Sequence, residues 1–273
     1  MTFSLASINV NGIRAAVKRG MHDSLAQTKP DVITLQEVRA SDEITASLLG
    51  EDWDLVTFPC EVKGRAGVAI GVRKDSHVKL DAATVRYGAQ PEGVEAIPVD
   101  TGRWLEVDIL DGDHRVTVVS AYLHSGQVGT EKMDQKYAHL DLVTPRMQEL
   151  FNEDRDVVVT GDLNIVHTEL DIKNWKGNHN KTAGVLDEEI AYVDRWLGMG
   201  WRDVVRDFTG NEQGPYTWWS YRGKAFDTNA GWRIDYHLAT PSLANAATSV
   251  HVDRAADYAS RYSDHAPLRI IYG

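Results

Sequence analysis

The sequence predicts an α/β fold in one domain, residues 1–273: a four-layer sandwich in which two packed mixed β-sheets are flanked by helices. Strand segments are frequent, and several follow one another with no helix between them. That order demands antiparallel or mixed pairing and excludes a doubly wound parallel sheet. About ten such segments exceed one comfortable open sheet, so they divide into two. No Gly/Ser-rich or Pro-rich linker and no internal repeat interrupts the 273 residues.

Taken in order, residues 3–9 (FSLASIN) alternate as a half-buried strand. A helix is predicted over 15–28. Residues 31–36 (DVITLQ) form a strand, 42–49 a helix, and 53–58 and 66–72 (AGVAIGV) two more strands. Segments 103–110 and 115–123 (RVTVVSAYL) follow as consecutive strands rich in β-branched residues. Helical periodicity covers 131–143 and 145–151. Thr144-Pro145 reads as an N-cap followed by proline at a first helical position, so these are one helix or two. A strand at 156–160 (DVVVT), a helix at 187–197 and strands at 232–239, 247–252 and 267–272 complete the chain.

Composition narrows the class. Hydrophobic residues make up 42% and charged residues 25%, which excludes disorder, collagen and coiled coil. The single cysteine, Cys60, excludes an intramolecular disulfide and a cysteine zinc site. The longest nearly apolar run, Val116 to Leu123, falls far short of the ~20 residues that cross a bilayer, so no membrane partner is expected. The first residues alternate and lack a basic start with an apolar core. The expected location is therefore cytoplasmic. Lys plus Arg is 29 against 40 Asp plus Glu, a net charge of −11, which by itself argues against a polyanionic partner.

Polar residues gather at strand ends: Asn9 and Asn11 after the first, Glu37 after the second, then Tyr122 to Ser125, Asp162 to Asn164, Asp235, and Asp264-His265 before the last. Any one of these is ordinarily a turn former or a solvated rim residue. Together they suit one chemistry. Asn, Asp and Glu oxygens fit a hard divalent cation and not zinc. An Asp–His pair with a second Asp can orient an imidazole and activate water. Tyr and Asn groups can donate to phosphate oxygens. The sum is metal-assisted phosphoester hydrolysis.

The motifs INVNGIRA (Ile8 to Ala15), LQE (Leu35 to Glu37), AY (Ala121-Tyr122), GDLNI (Gly161 to Ile165), GWRIDY (Gly231 to Tyr236) and SDHAP (Ser263 to Pro267) occur in family order. The chain resembles the exonuclease III family of AP endonucleases, within the endonuclease/exonuclease/phosphatase superfamily. GDLN and SDHAP mark only the superfamily; NGIRA, Leu170 to Ile172 and YTWWSYR…GWRIDY point to its DNA-repair branch. The loop 170–184 and the pair Trp218/Trp232 are similar to the eukaryotic major AP endonuclease.

The resemblance implies a deoxyribonuclease I-like fold and a monomer. It also implies Mg²⁺, or Mn²⁺, bound by Glu37 with Asn9, Asp162, Asn164, Asp264 and His265. It implies catalytic roles for five residues. Asp162 would activate water, Asn164 would position it, His265 held by Asp235 would stabilise the phosphate, and Tyr122 would donate to it. Duplex DNA with abasic sites or 3′ ends is the implied partner, contacted by Asn11, Arg14, Arg39, Ser125, Asn174, Asn178 and Arg222. Trp218, Trp232 and Ile234 would form a slot for a base-less sugar. A superfamily sibling acting on a non-DNA phosphoester, or a DNA-binding homologue without catalysis, is the alternative.

The family's usual proline and amide after the tyrosine are replaced here by His124 and Ser125. His124 is thus a candidate second acid, against the alternative of a loop histidine. On a strand one of Trp218 and Trp219 must face outward. Alternation along 232–239 would place Trp232 and Asp235 on opposite faces, unless Trp232 precedes the strand proper and Gly231 permits a turn. Finally, Arg14, Lys18, Arg19, Arg39, Lys63, Arg65, Lys173, Lys176, Lys181, Arg222, Lys224 and Arg233 fall in loops expected around the site, so a basic face on an acidic body resolves the charge conflict.

Overall fold

A computed structural model describes residues 2–90 and 101–273. Its first sheet contains β1 (Phe3–Asn9), β2 (Val32–Gln36), β3 (Trp53–Phe58), β4 (Val68–Arg73), β11 (Ala247–Val252) and β12 (Leu268–Tyr272), in the order β11-β12-β1-β2-β4-β3. The second contains β5 (Lys79–Tyr87), β6 (Trp104–Asp111), β7 (His114–Tyr122), β8 (Asp156–Asp162), β9 (Arg202–Asp203) and β10 (Asp235–Ala239), in the order β5-β6-β7-β8-β10-β9. Each sheet has one parallel pair near its middle, β1 with β2 and β7 with β8, and is otherwise antiparallel. Both sheets are mixed, as expected.

Leu5, Val32, Ile70, Val107, Val118, Val158 and Leu268 fill the space between the sheets. Helices α1 (Ile13–Lys18), α2 (Met21–Thr28) and α3 (Asp42–Leu49) cover the outer face of the first sheet through Ile13, Met21, Leu25 and Leu49. Helices α4 (Glu131–Asn152) and α6 (Asp187–Met199) cover the second through Leu140, Met147, Val193 and Trp196. These are the four layers. Strands buried on both sides read as continuous apolar runs, which is why β2 and β8 were legible.

Toward the C-terminal ends of β1, β2, β7 and β8 the layer between the sheets turns polar. Thr34 Oγ1 meets Thr160 Oγ1 at 2.7 Å. Gln36 Nε2 donates to Ser120 Oγ at 3.1 Å, and Ser120 Oγ donates to the Leu35 carbonyl at 3.0 Å. Gly161 sits inside β8 at φ 128°, and an added Cβ would lie 2.0 Å from the Ala121 carbonyl oxygen. Only glycine allows the close pairing with β7 there.

Several elements differ from expectation. The helix over 15–28 is two, because Gly20 takes a left-handed conformation (φ 103°) between them. The pair 131–143 and 145–151 is one 22-residue helix running through Pro145. Its apolar face, Leu140, Val143, Met147 and Leu150, packs on the second sheet and outweighs one lost backbone donor. Strand β5 was missed because it is a half-exposed edge with a register shift and polar composition. The strand expected over 232–239 begins only at Asp235. The short helices α5 (Trp175–Asn178), α7 (Val204–Thr209) and α8 (Pro241–Asn245) carry too few residues to show a period.

Arg233 does not belong to a basic face. It is fully buried, donating from Nε to Asp171 Oδ1 at 2.7 Å and from Nη1 to Asp203 Oδ1 at 3.1 Å. Asp171 also pairs with Arg206 and accepts from the Thr168 N–H at 2.9 Å. This network anchors the loop 168–172 beneath the residues before β10. Burial raises the Asp171 carboxyl, but Arg233 and Arg206 outweigh it and hold it down at about 2. A depressed carboxyl adds stability that is complete above the unfolded range near ~4 and is lost as pH falls through about 2. Asp171→Asn should therefore lower the unfolding free energy obtained from urea titration at pH 7, by about 3 kcal/mol or more for breaking a buried pair. The gap to wild type should shrink between pH 4 and 2; a gap constant across that range would contradict the assignment.

Candidate active site

The site lies where the polar layer reaches the surface. Asn9 ends β1, Tyr122 ends β7 and Asp162 ends β8, all at C-terminal strand ends. Asp235 instead starts β10, and pairs directly with Asp162 because β10 runs antiparallel to β8. Tight turns follow the strands: Asn11 (φ 44°), Glu37 (φ 55°) and Asn164 (φ 54°) all take left-handed backbone angles. Non-glycine residues pay a steric cost there, a pattern that clusters at functional sites.

Asp162 is buried and held from both sides. Asn9 Nδ2 donates to its Oδ2 at 2.9 Å, and the Asn164 N–H donates to its Oδ1 at 3.0 Å. His265 lies between two carboxylates: its Nδ1 donates to Asp235 Oδ2 at 2.8 Å, and its Nε2 stands 3.7 Å from Asp162 Oδ2. Burial disfavours the imidazolium, but Asp235 and Asp162 prevail and raise it to about 10. Burial raises Asp162 to about 7 against the pull of His265, with Asp235 and Glu37 adding to the rise. Burial also pushes the Tyr122 phenol well up, reinforced by Glu37 and Asp162, so Tyr122 is a neutral donor. The Arg103 guanidinium packs 4.8 Å over its ring.

Tyr122, Asp162 and His265 line one cleft of about 560 Å³, together with Glu37, Asn164, Asp264, Trp218, Trp232 and Ile234. Asp264 accepts from Asn11 Nδ2 at 2.7 Å and from Trp218 Nε1 at 3.1 Å. Glu37 pairs with Arg39. Among the described residues, no three His, Cys, Asp or Glu side chains converge as a ready cation cage. The cleft carboxylates of Glu37, Asp162 and Asp264 are nonetheless all hard oxygen donors, which fits a magnesium-like cation. Of the expected ligand His265 only Nε2 is left for the cleft, because Nδ1 is taken up by Asp235 Oδ2. Asn164 Nδ2 donates to the Leu123 carbonyl at 2.9 Å, so only its amide oxygen is left for the cleft.

The tryptophans divide as alternation requires. Trp219 is buried against Phe226 and Tyr216, while Trp218 is half-buried at the cleft. Trp218 and Trp232 exchange backbone hydrogen bonds at 2.9 Å, and their rings meet edge to face at 5.4 Å. Trp232 precedes β10, so it lines the cleft beside His265, the partner of Asp235, despite the spacing. Gly231 is needed there for closeness and not for an unusual φ: an added Cβ would stand 2.6 Å from both Trp219 Nε1 and Tyr216 Cβ.

Other expected contacts fall elsewhere. Arg14 and Arg222 are exposed and line no part of the cleft. Asn174 caps α5 by accepting from the Gly177 N–H, and Asn178 bridges the Asn174 carbonyl and Thr182 Oγ1, so both shape the loop. Lys181, Thr182 and Ala183 of that loop line the cleft instead. Gln127 and Val128 do so too, and nothing in their sequence context marked them. His124 turns its Nδ1 to His139 Nδ1 at 3.1 Å and lines a neighbouring cavity of about 200 Å³, which disfavours it as a second acid in the cleft. Ser125 borders both cavities, and Arg39, Arg65 and Lys132 line the smaller one.

A model of the Endonuclease/Exonuclease/phosphatase family matches residues 6–265. The chain is 32% identical over 268 residues to an exodeoxyribonuclease of Bacillus subtilis, covering 98% of each protein. Among solved structures, an AP endonuclease from Archaeoglobus fulgidus superposes with a TM-score of 0.81 at 25% identity, covering 99% of each chain. A 3′-5′ exonuclease from Neisseria meningitidis does so with a TM-score of 0.80 at 25% identity, covering 98% of this chain and 99% of that one. With the motif order, the paired mixed sheets and the Asp162–His265–Asp235 arrangement in place, the chain belongs to the endonuclease/exonuclease/phosphatase family, a family of phosphoester hydrolases.

Proposed function

We propose that this protein is a Mg²⁺-dependent DNA-repair nuclease that hydrolyses the phosphodiester on the 5′ side of an abasic site in duplex DNA and also trims 3′ ends. One observation carries the reading. The phosphate-directed set of Asp162, His265 and Tyr122 shares a single cleft with the apolar wall of Trp218, Trp232 and Ile234. A hydrolase of simple phosphate esters needs the first half only. A base-less sugar supplies a reason for the second, since it flips from the duplex at little cost and fits where a full nucleotide does not.

The residues have distinct tasks. Asn9 and the Asn164 N–H fix the Asp162 carboxylate, which takes a proton from the attacking water. His265, kept cationic by Asp235, donates from Nε2 to a non-bridging phosphoryl oxygen and offsets charge that grows in the transition state. Tyr122 donates its neutral hydroxyl to the phosphate or to the departing oxygen. Glu37, with Asp264 and Asp162 nearby, would hold the divalent cation, which supplies Lewis-acid polarisation and charge neutralisation when bound. Lys181, Arg39, Arg65 and Lys132 surround the two cavities with exposed positive charge.

The direct test is cleavage of a synthetic abasic duplex with and without EDTA, beside intact duplex, poly(A) and phosphoinositide controls. Metal-dependent incision 5′ to the abasic site, leaving a 3′-hydroxyl, is expected. Preference for poly(A) or lipid would overturn the reading.

Asp162→Asn should lower kcat by about 10²–10⁴-fold, the range for a lost general base, with an unchanged circular dichroism spectrum. Glu37→Gln should raise the Mg²⁺ concentration needed for half-maximal rate; an unaltered metal titration would remove Glu37 from the cation site. Trp232→Ala should cut the preference for abasic over intact duplex while costing little stability, since the ring is only half-buried. A core tryptophan would instead cost about 3–5 kcal/mol on truncation. DNA affinity should fall with salt despite the net charge of −11. For roughly four neutralised phosphates the slope of log K against log salt is about −4. A flat titration would contradict a local basic face.

A further inference from the structure

Beneath the cleft, outside the groups assigned above, Lys136 of α4 and Glu189 of α6 form an ion pair in which both side chains have zero exposure. A fully buried pair is a poor device for stability, because desolvating two charges offsets most of their attraction, and an apolar pair of similar size often serves as well. Its value must lie in what apolar side chains cannot do.

The polar contacts show what that is. Lys136 Nζ donates to the Asn164 carbonyl at 2.8 Å and toward the Ser125 carbonyl at 3.4 Å. Glu189 Oε2 accepts from the Gly184 N–H at 2.6 Å and the Leu186 N–H at 3.1 Å. Three separate chain segments are thus tied to one point: the loop after β7, the loop after β8, and the stretch leading into α6. Each contributes to the cleft, through Ser125, Asn164 and the neighbouring Thr182-Ala183. The segments also touch one another. The Val166 N–H donates to the Gly184 carbonyl at 2.8 Å. A Cβ added to Gly184 would lie 2.8 Å from the Asn164 carbonyl oxygen and 3.4 Å from Trp232 Cζ3. Gly184 is therefore wedged between the residue that steadies Asp162 and a wall of the slot.

We propose that Lys136 and Glu189 are positioning residues that set the spacing between the hydrolytic end of the cleft and its tryptophan wall. The inference rests on the reading of this cleft as the hydrolytic site. Neither residue touches substrate. Lys136 fixes the backbone of Asn164, whose N–H orients Asp162, and Glu189 fixes Gly184 against Trp232. Loss of the tethers leaves buried carbonyl and N–H groups unpaired, and the loops must shift to satisfy them.

The test compares Lys136→Met, Lys136→Arg, and the double variant Lys136→Met with Glu189→Leu, in which no charge is stranded. Melting temperature, kcat and KM on the abasic duplex, and amide hydrogen exchange at Val166, Gly184 and Leu186 are measured for each. The double variant, with no stranded charge, should stay folded and melt above Lys136→Met, yet lose kcat by roughly 100-fold, the scale of an ångström-level misplacement, with KM little changed. Exchange should accelerate at Gly184 and Leu186 but not in the central strands. Lys136→Arg, which keeps charge and donors, should recover most of the lost rate. A folded double variant with wild-type kcat and unaltered exchange would overturn the proposal, as would Lys136→Arg no better than Lys136→Met. The exchange measurement needs no substrate, so failure of wild type to cut the abasic duplex would count against the proposed function while leaving the positioning role open to test.

Discussion

The hydrogen bond from Asn9 Nδ2 to Asp162 Oδ2 joins the two sheets at the point where chemistry must occur. It is the outermost rung of a polar seam that includes Thr34 with Thr160 and Gln36 with Ser120. Elsewhere the sheets meet mainly through apolar side chains, which fix a separation but tolerate sliding. Directional hydrogen bonds between buried partners tolerate little sliding, since each misaligned donor would be left unpaired. The seam therefore sets the register of one sheet on the other, and with it the relation of Asn9 and Glu37 on the first to Tyr122, Asp162 and Asp235 on the second.

Electrostatics at the end of the seam depend on that register. Asp162, Asp235 and Glu37 are brought close while largely shielded from water, an arrangement that strongly favours a proton or a cation among them. His265 answers part of that demand as an imidazolium between Asp235 and Asp162. Glu37 is met by Arg39. The remaining negative character gives the donor set its fit to a hard divalent cation. The same groups that make Asp162 hard to ionise thus define where positive charge is wanted.

The overall acidity of the chain and its proposed polyanionic partner are compatible because charge is unevenly placed. Lys181, Arg39, Arg65 and Lys132 lie at the rims of the adjoining cavities. Field lines near a surface follow the local patch and are screened over about 10 Å at moderate salt, so the distant carboxylates matter little there. Arg233 shows the limit of reading charge from sequence. It stands beside Trp232 in the motif, yet its guanidinium is enclosed by Asp171 and Asp203 and contributes architecture.

What the sequence determined by itself was the local content: the periodicity of the strands, the mixed order of elements, and the polar residues at strand ends that mark a phosphoester chemistry. Asn9, Glu37, Tyr122, Asp162, Asp235 and His265 stood out together, as polar groups recurring at the ends of successive apolar segments, and the motifs that contain them gave them roles by resemblance. Tertiary structure decided the rest. It carried α4 through Pro145, because packing on the second sheet exceeds one lost hydrogen bond. It started β10 at Asp235 and so turned Trp232 into the cleft. It assigned Asn174 and Asn178 to the loop's own scaffold, and Lys181, Thr182, Gln127 and Val128 to the cleft wall. It also buried Lys136 and Glu189 together. Contacts between residues far apart in the chain leave no periodic trace along it, so a loop residue's direction and a buried charge's partner become visible only once the layers are stacked.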